Sequence, residues 1–173
     1  MATFEQQLVG SHSYLKSFAY RFSKDEMFCE DLVQETVLKA LENTERFQEG
    51  TNMKGWLFTI MRNIFINQYR KKKRFFEVEN DIEEVHSICK EGLSVDNMSE
   101  NNFLSEYLDK LIGTMSEDIK QPFDMHFKGF KYQEIADEMS LPIGTVKSRI
   151  FHARKKMQER MSFDGVNRTF MEN

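Results

Sequence analysis

The chain has 173 residues, a formal net charge of −4, 30% charged and 40% hydrophobic residues, a size that suits one or two small domains rather than one large core. With 16 Phe and 11 Met against 2 Pro and 8 Gly, turns and alternating β-branched runs are scarce, so an all-α protein is expected. The overall negative charge argues at first against a nucleic-acid partner, but its distribution along the chain reverses that.

Phe4, Leu8, Leu15, Phe18 and Phe22 space as one helical stripe, so the first 22 or so residues read as a single amphipathic helix ended by Ser23 to Asp25. A second helix is expected from Glu26 to Glu45, with Val33, Val37, Ala40 and Leu41 buried. Its other face gathers Asp31, Gln34, Glu35, Leu38 and Glu42. Acids, an amide and an exposed leucine suit a docking surface for a basic helical partner; a solvated acidic face is the other reading.

Gly50 to Asn52 form a turn, and Asn52 is placed to cap a third helix, Met53 to about Lys73, that buries Met53, Leu57, Ile60 and Ile64. Trp56, Arg62, Asn63, Asn67 and Tyr69 fall off that stripe, ahead of the cationic run Arg70, Lys71, Lys72, Lys73 and Arg74. Between Asn52 and Arg74 there are seven cations and no acid. Cations track a phosphate backbone, flat rings stack on bases and amides read exposed base edges. Trp56 at helical spacing is equally a core residue, and the cationic run equally a solvated helix end.

From Phe75 to Glu100 the sign flips, with eight acids against Lys90 alone, and sustained periodicity is lost. A linker is expected there. The pattern resumes with Phe103, Leu104, Tyr107, Leu108 and Leu111, breaks at Gly113 to Ser116, and restarts where Ser116, Glu117 and Asp118 signal a helix N-terminus; Pro122 then has to sit in its opening turns. Phe123, Phe127 and Phe130 supply apolar contacts on which a helix pair can rest.

Residues 132 to 157, YQEIADEMSLPIGTVKSRIFHARKKM, lay out two helices about a tight corner. Ile135, Ala136 and Met139 give the first its apolar side, and Ser140, Leu141, Pro142 and Gly144 interrupt it. In the second, Val146, Ile150, Ala153 and Met157 step by four, three and four, leaving Lys147, Ser148, Phe151, His152 and Lys155 on the outward side. Six cations against Glu159 make Thr145 to Arg160 basic. Such a face enters a major groove: long cations reach phosphates or guanine edges, a hydroxyl bonds a base, and an aromatic ring lies against a thymine methyl. A helical hairpin with a solvated basic face is the plainer alternative. The remainder, 162–173, reads as a fraying tail.

Other chemistry finds little support. Cys29 and Cys89 lie 60 residues apart with no CxxC, so they read as free thiols rather than a disulfide or zinc framework. His12, His86, His126 and His152 form no HxxxH or HxxE spacing, and neither catalysis, a cofactor nor a metal is expected. With no basic start leading into an apolar core and no run of about 18 apolar residues, a cytoplasmic protein that does not insert into a membrane is expected.

Three segments in this order resemble the sigma-70-type initiation factors of bacteria, in the small extracytoplasmic-function group. EDLVQETVLKAL (Glu30 to Leu41) looks like the helix that holds the polymerase clamp. MKGWLFTIMRNIFINQYRKKKR (Met53 to Arg74) looks like the minus-10 recognition and melting helix, and residues 132 to 157 look like the minus-35 reader. The resemblance implies two small helical domains, a region 2-like domain over 1–75 and a region 4-like helix-turn-helix domain over 103–161, joined by an acidic linker at 76–102 that threads an RNA exit channel. Its implied partners are core RNA polymerase, through the β′ clamp and β flap, promoter DNA and an anti-sigma factor. Asp31, Gln34, Glu35 and Leu38 would bind the β′ clamp. Asn63, with the loop from Phe47 to Gly55, would capture a flipped non-template base, while Trp56, Arg62 and the run containing Arg70, Lys72 and Arg74 would support the strand. Lys147, Ser148, Phe151 and His152 match the base-facing surface of the reader, with Arg149 and Arg154 nearer the DNA backbone. His152 departs from the Arg common at its position, which puts guanine readout there in question. Ser140 stands where a general helix-turn-helix has Gly, as is normal within this family. The rival reading is a free-standing helix-turn-helix regulator that binds DNA without polymerase; such proteins carry the same reader helix but dimerise on a palindrome.

Overall fold

The structure, a computed structural model, describes residues 3–48, 50–79 and 110–163, the side chains at 75–79 and 163 excepted. Every regular element among them is helical, and none of the helices is long and apolar enough to cross a membrane. The chain divides into two compact units, Met1–Asp96 and Asn97–Asn173.

In the first unit the N-terminal stripe is split between two helices, α1 (Phe4–Gly10) and α2 (His12–Ala19), where one continuous helix was expected. Gly10 has low helix propensity, and at the junction the Ser11 amide donates to the Leu8 carbonyl at 3.0 Å, while its hydroxyl donates to the Gln7 carbonyl at 2.8 Å. A capping box starts α1, with Thr3 accepting from the Gln6 amide and the Gln6 side chain accepting from the Thr3 amide. Helix α3 (Glu26–Glu42) begins on Asp25, whose carboxylate accepts from the Phe28 amide. It stops three residues short of the expected Glu45. There the Asn43 side chain donates to the Lys39 carbonyl and the Thr44 hydroxyl to that of Leu41, and a 3-10 turn, Thr44–Arg46, takes over.

Packing also corrects the phase of α3. Cys29, Leu32, Val33, Thr36 and Ala40 form its buried stripe, whereas Val37 is half-buried and Leu41 is 49% exposed. Helix α4 (Met53–Glu79) is capped by Asn52 as expected, its side-chain oxygen accepting from the Gly55 amide at 3.1 Å. Gly55 matters here because a Cβ would meet the Asn52 side chain at 3.2 Å. Met53, Leu57 and Ile64 are buried as expected and Ile60 partly so, joined by Met61, Phe65, Ile66 and Tyr69. Tyr69, expected off the core stripe, is therefore in it. Helix α3 packs along α4 with α2 against both, and the Phe22 and Phe65 rings meet at 4.8 Å inside.

In the second unit a helical turn at 110–113 precedes α5 (Glu117–Phe127), α6 (Tyr132–Met139) and α7 (Ile143–Phe163). Ser116 precedes α5 with extended backbone, as its sequence signal predicts, and Pro122 lies within the helix. Two corners of one design bracket α6. After α5 the Phe130 amide donates to the Met125 carbonyl and the Gly129 amide to that of His126; after α6, Leu141 donates to Ala136 and Ser140 to Asp137. Both are Schellman closures, which need a left-handed residue: Gly129 has φ 101°, and Ser140 has φ 52°. The Pro142 carbonyl then accepts from Thr145 and Val146 and starts α7. Val146, Ile150, Ala153 and Met157 are all at least 96% buried, against α5 and α6.

Helix α4 runs beyond position 75 and α7 beyond 162, so neither expected boundary coincides with a helix end. The remainder of the expected acidic linker (80–102), Cys89, the apolar positions from Phe103 to Leu108 and the tail after Phe163 lie outside the described residues.

Because an L side chain is strained in the left-handed region, Ser140→Gly is expected to stabilise the second unit by about 0.5–1 kcal/mol. Ser140→Val is expected to destabilise it by at least as much, both read from denaturant unfolding.

Candidate functional site

Three helix faces carry the residues singled out by sequence. On α3, Asp31, Gln34 and Leu38 are exposed, Leu38 by 55%. Glu35 is only half-exposed and accepts a hydrogen bond from Gln68 of α4 at 2.8 Å. One of the four thus also ties the acidic face to the helix behind it. Lys39 and Glu42 pair at 2.8 Å, and the bond to Glu42 raises the lysine's pKa. Leu41 and Met27, neither assigned to the surface by sequence, add exposed apolar side chains to α3.

On α4 the period of 3.6 residues places Trp56, Asn63, Asn67, Arg70 and Arg74 on one stripe. Asn63, Asn67 and Arg74 are exposed, while Trp56 and Arg70 are half-buried. Arg62 and Lys72 project from other sides of the helix, so the set proposed by sequence is not one surface. The Trp56 ring is neither plain core nor free: it meets Phe47 at 5.3 Å and Phe4 at 6.0 Å, and Phe4 and Phe47 meet at 5.8 Å. Three rings from α1, the loop after the 3-10 turn and α4 thereby form one cluster. Phe4 was missed as a site neighbour, because its helical spacing announces a buried stripe and says nothing about which rings it will meet.

On α7, Lys147, Ser148, Phe151, His152 and Lys155 are all exposed, Phe151 by 62%, and the Phe151 and His152 rings stand edge to face at 5.8 Å. The two arginines are engaged within their own unit. Arg149 reaches Asp118 of α5 at 3.9 Å, and Arg154 reaches His126 at 2.8 Å. A hydrogen bond from Ser116, with the Arg149 charge as a smaller contribution, holds the Asp118 carboxyl below the usual carboxylate range. Among the described residues no group of three or more His, Cys, Asp or Glu is arranged to hold a metal ion.

The arrangement is one of surfaces: an acidic, partly apolar one on α3, an aromatic and cationic one on α4, and a basic row on α7. The family model for Sigma-70 region 2 matches residues 8–75, and that for Sigma-70, region 4 matches residues 105–157. The ECF RNA polymerase sigma factor EcfG of Rhodopseudomonas palustris is 36% identical over 152 residues, which cover 88% of this chain and 81% of that protein. The ECF RNA polymerase sigma-E factor of Haemophilus influenzae is 30% identical over 138 residues, 76% of this chain and 73% of its own. Among solved structures, the sigma factor RpoE of Bartonella quintana, crystallised with the anti-sigma factor NepR, is 32% identical, with 93% of this chain and 98% of that one covered at a TM-score of 0.47. Sequence identity over most of both chains carries the assignment: this chain belongs to the ECF group of sigma-70-type RNA polymerase sigma factors.

Proposed function

We propose that the three faces act as three contacts of a transcription initiation factor. The protein binds core RNA polymerase, directs it to promoters and helps open the DNA, in preference to acting as a free-standing regulator. It performs no covalent chemistry; it contributes binding energy, and polymerase makes the RNA. The observation that carries the reading over the regulator is that one chain matches both Sigma-70 region 2, over 8–75, and Sigma-70, region 4, over 105–157; on α7, Lys147, Ser148, Phe151 and His152 stand exposed on a helix whose opposite stripe is almost fully buried. Packing holds the backbone from which these side chains project, so only the side chains are left to be ordered at a groove.

In this reading Asp31, Gln34, Glu35 and Leu38 grip the basic β′ clamp coiled coil, and the second unit meets the β flap. Asn63 and the loop from Phe47 to Gly55 hold an unstacked minus-10 base, against the ring cluster that Trp56 and Phe47 form. Arg70 and Arg74 follow the strand, with Arg62 and Lys72 reaching phosphates from the sides. Lys147, Ser148, Phe151 and His152 read the minus-35 block, and Arg149 and Arg154 approach its phosphates. An anti-sigma factor competes with polymerase for the α3 face, where exposed Leu38 and Leu41 offer it apolar surface. The protein works in the cytoplasm, where its polymerase is.

Selection of random duplex DNA by the reconstituted holoenzyme is expected to return a two-block motif, and a single palindromic motif recovered without polymerase would restore the regulator reading. Ser148→Ala or Phe151→Ala should alter only the upstream block, each lost contact costing about 1–3 kcal/mol of discrimination. Trapping an extruded base offsets an unstacking cost of a few kcal/mol. Asn63→Ala is therefore expected to reduce permanganate reactivity of the opened strand while closed-complex affinity holds. Leu38→Ala should weaken polymerase binding by about 1–2 kcal/mol in a titration and leave thermal stability unchanged, because its side chain supports no core.

A further inference from the structure

His126, in the last turn of α5, joins all three numbered helices of the second unit. Its Nε2 lies 2.8 Å from Nη2 of Arg154 on α7, and its ring stacks on Tyr132 of α6 with centroids 4.9 Å apart and planes 8° from parallel. Lys147 Nζ lies 5.9 Å from the centroid of the same tyrosine. The first cation of the reader row and the arginine two residues beyond His152 thus share one aromatic support. A guanidinium only donates and keeps its proton in proteins, so at this distance Nε2 must be the acceptor. In that role the imidazole is neutral with its proton on Nδ1, and the stack on Tyr132 holds its plane.

An exposed arginine loses rotamer freedom when it binds a phosphate, and a contact that already restrains it lowers that cost. We propose that His126 is a positioning residue for promoter binding: its Nε2 presets Arg154 for a phosphate beside the minus-35 block, while Tyr132 orients the imidazole. The guanidinium keeps further N–H groups for the DNA after one is given to His126. Nothing in the chain's recognisable motifs assigns this role to His126, which precedes the helix-turn-helix. The inference rests on the proposed reading of Arg154 as a DNA contact.

The test uses full-length protein in holoenzyme and a promoter duplex recovered by selection with the parent holoenzyme, with closed-complex affinity measured across salt concentrations. Arg154→Ala is expected to weaken binding and to reduce the logarithmic salt slope by about 0.9, the signature of one lost phosphate contact. His126→Phe keeps an aromatic ring but no acceptor and should weaken binding about 3- to 10-fold. His126→Gln, whose carbonyl oxygen can accept from Arg154, should stay within about twofold of the parent. In the Arg154→Ala background His126→Phe should add nothing, since residues acting through one contact are not additive. Parent-like binding by His126→Phe, an equal loss in His126→Gln, or additivity with Arg154→Ala would each overturn the proposal. An Arg154→Ala variant with unchanged affinity and salt slope would instead remove the DNA-contact reading of Arg154 on which it stands. Polymerase affinity and thermal midpoint measured for each variant identify loss of fold, and a His126→Phe defect explained by unfolding leaves His126→Gln in the Arg154→Ala background to decide, where any further loss of affinity counts against the proposal.

Discussion

Burial of one stripe of α7 is the constraint on which the C-terminal unit depends. Helix α6 has eight residues and α5 eleven, lengths at which an isolated helix is marginal in water, so neither holds its shape without a surface to pack on. Val146, Ile150, Ala153 and Met157 provide that surface. The same helix leaves its opposite side bare, and the angular distance between the two stripes lets one element both hold the unit together and present an exposed basic row. Small Ala136, 4% exposed, and Ala153, fully buried, keep the backbones close enough for the corner to be tight.

Electrostatics are organised face by face rather than over the whole chain. The net charge is −4, and long-range attraction to or repulsion from phosphate depends on the summed field. Locally the order is different. On α4 the stripe from Trp56 to Arg74 holds amides and cations, while α3 turns acids and Leu38 outward on its own exposed face. Glu35 accepts from Gln68, so the acidic face of α3 and helix α4 are joined by a side-chain hydrogen bond.

Much of this was legible in the sequence where one helix buries one clear stripe. The four-three-four spacing of α7 identified its buried residues and, by difference, its exposed row; Asn52 announced the start of α4. Legibility failed where local bonding or tertiary contact decides. The break falls at Gly10 and Ser11, where the Ser11 amide turns to the Leu8 carbonyl, and an apolar stripe continues across it unaltered. On α3 the pattern Leu32, Val33, Val37, Ala40, Leu41 admits two phases, and packing against α2 and α4 selected the one that buries Cys29 and Thr36 and leaves Leu41 out. Tyr69 sits among polar neighbours in sequence yet finishes the core of α4. The Phe4, Phe47 and Trp56 cluster and the contact between His126 and Arg154 join residues far apart in the chain, which no single-helix spacing reports.

The length of α4 has a consequence of its own. Its 27 residues span about 40 Å; the last fully buried side chain described on it is Tyr69, and the cations Arg70 to Arg74 follow, with Arg70 and Lys73 half-buried. Like charges three and four residues apart oppose helix formation there. In the proposed reading a polyanion laid along them would relieve that repulsion, so that binding the strand and forming the helix there would favour each other.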